Sequence, residues 1–111
     1  MANLCENTLV INSNSQKNID YITDFIKTNF ECNSLEYVNG TCIKIVFNSK
    51  WMFPVFEMDQ MFQHLPNKDD IQMDCLSVEW GCYYCEFRSC DSMGWKIENW
   101  KYDYKRIKKY S

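Results

Sequence analysis

The sequence has 3 glycines, 2 prolines and a single histidine in 111 residues, and each shortage removes a class of function. A loop that cradles phosphate needs several glycines within a few residues so that backbone N–H groups can converge, and no such run is present. One histidine excludes the paired histidines of an H-E-x-x-H zinc site and leaves a Cys–His or Ser–His pair with one candidate histidine. That residue, His64, stands at the expected end of a helix, where its plainer role is to complement the helix dipole. With 46% hydrophobic and 16% aromatic residues, the chain is no disordered or low-complexity segment. The longest apolar runs, such as residues 51–56, fall far short of the ~20 residues a membrane-crossing helix requires. No basic stretch followed by an apolar one opens the sequence, so no export signal is read and a cytoplasmic location is expected.

Cysteine is abundant, with 7 residues. An odd count, no export signal and enough apolar residues for a core without cross-links together predict reduced thiols. The chain has 12 basic and 15 acidic residues, but they are unevenly placed. Residues 101–111 hold five basic residues and one acidic one, so this end carries +4 and the first 100 residues carry −7. A general nucleic-acid binder would be basic throughout.

Periodicity then gives the elements. Leu4 to Asn12 reads as a strand with Cys5, Leu9 and Ile11 on one face, and Thr8 and Val10 on the other, the pattern of a central strand. Ser13 with Gln16 has the form of a capping box, with Ser15 a competing cap. The helix that follows runs to Asn29 with Ile19, Ile22, Phe25, Ile26 and Phe30 on one stripe. Strands at 35–38 and 41–47 flank Asn39-Gly40. A bulged three-residue loop with Gly40 in the left-handed region would set Leu35 opposite Ile43 and place Ile43, Ile45 and Phe47 on the core face. Pro54 suits the first turn of a second helix carrying Val55, Met58, Met61, Phe62 and Leu65, stopped by Pro66.

The stretch 71–98 reads as a hairpin and a third strand. With Gly81-Cys82 as a type II′ turn, Trp80 faces Tyr83, Val78 faces Cys85 and Leu76 faces Phe87 on one side. The other side receives Glu79 with Tyr84, Ser77 with Glu86 and Cys75 with Arg88. One register sorts apolar from polar, so the apolar side is expected to face the core. The resulting order, β-α-β-β-α-β plus one or two antiparallel strands, predicts an α+β, ferredoxin-like sandwich over residues 1–100, with 101–111 as a basic-aromatic extension.

Four pieces of this chain resemble a known family. They are Met1-Ala2-Asn3-x-Cys5-x-Asn7, Phe47-x-Ser49-x-Trp51-x-Phe53-Pro54, Glu79-x-Gly81 and Asp91-x-x-Gly94-Trp95. Together they are similar to the YubB-type ferredoxin-like domain of phage- and plasmid-encoded proteins. Leu4 stands where that family often has Trp, and Phe53 replaces one residue of a usual Pro-Pro pair. The resemblance implies the fold and a mobile-element origin in a bacterial host. It implies no activity, because the family's function is unassigned.

Candidate chemistry is sparse. Cys82 and Cys85 have the spacing of a zinc or redox pair, with Cys75 and Cys90 nearby. In the hairpin register Cys82 turns, Cys85 faces the core, and only Cys75 and Cys90 share the outer face, so neither metal nor cofactor is expected. Trp51, Met52 and Phe53 sit at a strand-to-helix junction, where they either plug the core end or, if exposed, anchor an interface. The sequence therefore points to a non-enzymatic protein that binds and blocks a host protein, such as a defence component with a basic nucleic-acid cleft, in the manner of an anti-CRISPR inhibitor. Trp51, Met52, Phe53, Glu79 and Glu86 are its candidate contacts, and the acidic body would steer association. The alternative is a nucleic-acid-binding module in which Trp100, Tyr102 and Tyr104 stack on bases while Lys105, Arg106, Lys108 and Lys109 hold phosphates.

Overall fold

The first strand falls where its alternation placed it: β1 spans Leu4–Asn12, with Cys5, Leu9 and Ile11 fully buried on one face. The computed structural model describes residues 3–81 and 84–98. After β1 come α1 (Gln16–Asn29), β2 (Glu31–Asn39), β3 (Cys42–Lys50), α2 (Val55–Gln63), β4 (Gln72–Glu79), β5 (Tyr84–Asp91) and β6 (Gly94–Ile97). Among the described residues this is an α+β fold with a six-stranded antiparallel sheet in the order β2-β3-β1-β4-β5-β6 and two helices. No helix of the described residues is long and apolar enough to cross a membrane.

Of the two possible caps, Ser15 is the one used. Its side chain accepts the Asn18 N–H at 3.3 Å, satisfying a donor that the first helical turn leaves open. Ser13 instead donates to the Asp70 carbonyl at 2.6 Å and accepts the Ser15 N–H at 3.1 Å. Ile19, Ile22 and Ile26 of α1 meet Met58, Met61 and Phe62 of α2 in one core, over Leu9, Ile11, Ile43, Ile45, Phe47 and Met73 of the sheet. Asn18 is fully buried on the same helix. It is satisfied by Asn67 and Asp70: its amide donates to their carbonyls at 2.7 and 3.0 Å, and its oxygen accepts the Asn67 N–H at 2.9 Å.

The β2–β3 register departs from expectation. Leu35 lies opposite Ile45 and Tyr37 opposite Ile43, two residues further along than predicted, although the core face is unchanged. Asn39 accounts for the difference. Its side-chain oxygen accepts both the Thr41 N–H and the Thr41 hydroxyl, at 2.9 and 3.1 Å, closing the turn as an Asx turn does. Gly40 takes no left-handed conformation. Gly81 does not take the positive φ of a type II′ turn either; its N–H is held instead by the Glu79 carboxylate at 2.8 Å.

The β4–β5 register is as read from the sequence, with Leu76 opposite Phe87, Ser77 opposite Glu86, Val78 opposite Cys85 and Glu79 opposite Tyr84. Its orientation is reversed. Met73, Cys75 and Cys90 belong to the core beneath the helices, so the helices cover the polar side of the hairpin, and Cys75 and Cys90 are interior. Trp80, expected in the core, is 68% exposed. Trp80→Ala is therefore expected to change stability by no more than ~0.5 kcal/mol, as surface substitutions do, whereas Met73→Ala should cost ~2–5 kcal/mol. Urea denaturation midpoints of the two variants check this directly.

Candidate protein-docking surface

The helices can cover a polar side because its side chains satisfy one another. Ser77 donates to the Asn7 side-chain oxygen at 2.7 Å. The Asn7 amide donates to the Ser49 hydroxyl at 2.9 Å and to the Phe47 carbonyl at 3.3 Å. The Ser49 hydroxyl passes the chain on to the Met52 carbonyl at 2.7 Å. Asn7 and Ser77 are fully buried and Ser49 is nearly so. Buried polar groups are tolerated when each has a partner, and this series runs from the middle of the sheet to the segment that joins β3 to α2.

That segment holds the strained point of the backbone. Trp51 has φ +69°, the one positive φ of a non-glycine residue among those described. The Met52 N–H bonds back to the Lys50 carbonyl at 2.8 Å, and the Trp51 N–H bonds to the Asn3 carbonyl at 3.0 Å. A two-residue hydrogen bond around a positive φ has the form of the rarer, strained γ-turn. For a bulky side chain such a conformation costs ~1–3 kcal/mol and persists only where its surroundings enforce it.

The result splits the apolar triplet. Trp51 and Met52 are 50% and 45% exposed, while Phe53 is buried at 1%. Phe53 packs edge-on against Trp95 at 5.2 Å between ring centres, and the Arg88 guanidinium lies 4.7 Å from its ring centre. Its N–H donates to the Tyr84 hydroxyl at 3.4 Å. Trp95 is fixed in turn by its indole N–H on the Met58 carbonyl at 3.1 Å. Arg88 also donates through Nε to the Glu86 carboxylate. Phe53 is thus a plug, while Trp51 and Met52, with Val55 and Phe56 (71% exposed), form an apolar surface.

Glu79 and Glu86 do not reach that surface. Glu79 is 4% exposed and Glu86 is half-buried beside Arg88, so neither is the outward-facing acidic contact that the sequence suggested. Glu79 is turned to the Gly81 N–H and Glu86 to Arg88, on the side of the hairpin that the helices cover. Trp100, Tyr102, Tyr104, Lys105, Arg106, Lys108 and Lys109 lie outside the described residues.

Beside Met52 runs a groove of about 450 Å³, lined by Leu4, Phe30, Met52 and Pro54 with Glu31 and Glu57 among its polar residues. A smaller polar hollow of about 330 Å³ lies at the far end, against Ser13, Asp69 and Asp70. His64 ends α2 as an exposed C-cap residue.

The described cysteines are all free thiols. Among the described residues no three His, Cys, Asp or Glu side chains gather as metal ligands. Burial pushes the Cys5 thiol from its ordinary 9.0 up to about 11, and Cys75 and Cys90 up to about 12. Burial likewise raises the Tyr84 hydroxyl. These shifts make the interior a poor place for a nucleophile. They also set a pH dependence. A raised folded-state value means that the contribution to stability is complete below 9.0 and is lost as pH climbs toward 11 and 12. Stability should accordingly fall steeply in that alkaline window, and alkylation of Cys5, Cys75 and Cys90 at pH 8 should await unfolding. Mass-spectrometric mapping of alkylated sites checks the latter.

Comparison with protein-family models, with characterised proteins and with solved structures finds no match to this chain.

Proposed function

We propose that this chain is a non-enzymatic, ferredoxin-like domain of mobile-element type that binds and blocks a host protein through Trp51, Met52 and Phe56. The observation that carries the reading is the strained, outward-facing Trp51 held above a buried polar buttress. Strain of this kind gathers at functional sites, and exposed tryptophan is favoured as an interface anchor. The strand order β2-β3-β1-β4, with α1 between β1 and β2 and α2 between β3 and β4, supports the ferredoxin-like assignment. The family resemblance agrees with the site. Asn3, Asn7, Ser49, Trp51, Phe53, Glu79, Gly81 and Trp95, which carry much of that resemblance, include the loop and several of the groups that hold it.

The body's charge of −7 over the first 100 residues suits a partner with a basic nucleic-acid cleft and would speed encounter with it. Immobilised protein is expected to retain one stoichiometric partner from nuclease-treated bacterial lysate. Phe56→Ser should lose about tenfold or more of that retention, with an unchanged melting temperature. Equal retention by Phe56→Ser and by Trp51→Ser would overturn the reading, as would capture that disappears with nuclease.

A further inference from the structure

The groove beside Met52 has a composition that the apolar surface does not explain. Its apolar lining residues are Leu4, Phe30, Met52 and Pro54, and its polar ones include two acids, Glu31 and Glu57. Glu57 lies in the first turn of α2 and Glu31 opens β2, so separate elements bring the two acids to one groove. Among the described residues the sole ion pair joins Arg88 to Glu86, which leaves both groove carboxylates without a cationic partner. Lys50 also lines the groove, yet it pairs with neither. Glu31 accepts only a long contact of 3.4 Å from the Asn48 amide.

An apolar trough bordered by unpaired acids matches one side chain in particular. Arginine carries an aliphatic stem that lies along apolar surface and a planar, weakly hydrated head that pairs with carboxylates. We infer that the groove receives an arginine side chain from the partner protein, its stem along Leu4, Phe30, Met52 and Pro54 and its guanidinium at Glu31 and Glu57. The inference rests on the docking role proposed above and specifies the partner's chemistry: an arginine next to the pocket that takes Trp51. The charge of the first 100 residues, −7, favours the same kind of surface.

The test uses the intact protein and a blocked Gly-Arg-Gly tripeptide, followed by backbone amide NMR. Saturable shifts are expected at the residues lining the groove, with millimolar affinity in keeping with so small a probe. The tripeptide with citrulline, which has the same shape and no charge, should cause none. The double variant Glu31→Gln, Glu57→Gln changes two side chains at least partly exposed and should bind the arginine peptide about tenfold more weakly, the scale of a lost charge-assisted contact. Equal shifts with citrulline, undiminished binding by the double variant, or shifts away from the groove would overturn the inference. Phe56→Ser separates the two proposals, because Phe56 does not line the groove. That variant should bind the arginine peptide normally while losing the partner. Partner retention lost in Phe56→Ser, together with no arginine binding by the wild type, would remove this inference and leave the docking surface standing.

Discussion

Asn7→Ala is expected to cost about 3–5 kcal/mol, a large part of the ~5–15 kcal/mol that holds a domain of this size together. The side chain is fully buried; it accepts from Ser77, donates to Ser49 and the Phe47 carbonyl, and makes longer contacts with Cys5. Truncation leaves these groups without a partner at ~1–3 kcal/mol for each one stranded, and it opens a cavity. Ser49→Ala, which interrupts the same series nearer its end, should cost only ~1–2 kcal/mol. Urea unfolding of the two variants gives the comparison. Midpoints that coincide would mean that Asn7 is not the centre of the buttress.

Trp51→Gly should move stability and binding in opposite directions. Glycine adopts a positive φ without the steric cost that tryptophan bears, so relief of strain is expected to raise stability by ~1 kcal/mol. The same substitution removes the exposed anchor, and partner affinity should fall about 30-fold or more, the equivalent of a hot spot of ~2 kcal/mol. Trp51→Ala keeps a Cβ at the strained position. It should lose affinity to the same degree with no gain in stability. A Gly variant that melts below the Ala variant would show that the φ of +69° stores no strain.

Much of the architecture could be read from the sequence, for reasons visible in particular residues. Leu9-Val10-Ile11 placed β1 at the centre, and two strands did pair with it there. The β4–β5 register followed from sorting apolar from polar residues. The side that faces the helices did not follow, because sorting by polarity assumes that a polar side chain prefers water. Ser77 is an exception whose reason lies far along the chain: it is paired with Asn7, 70 residues away, and Asn7 with Ser49, 42 residues away. The β2–β3 register was misread for a local reason. Asn39-Gly40 has the composition of a bulged glycine turn, whereas the Asn39 side chain does the closing. Around residues 51–53 the sequence leaves a core plug and an interface anchor as alternatives. It could not show that a γ-turn would send Trp51 outward and Phe53 inward.

The central place of β1 has a consequence for how the chain is made. The strand ends at Asn12, but its neighbours begin only at Cys42 and Gln72. At about 5–20 residues per second of synthesis, several seconds separate the strand from the second of its two partners. Over that interval Leu9, Val10 and Ile11 present an unpaired strand with apolar groups on both faces, the kind of segment that other chains join. The nascent chain is thus most exposed to misassembly early, and the late-emerging β4 is the element that ends the exposure.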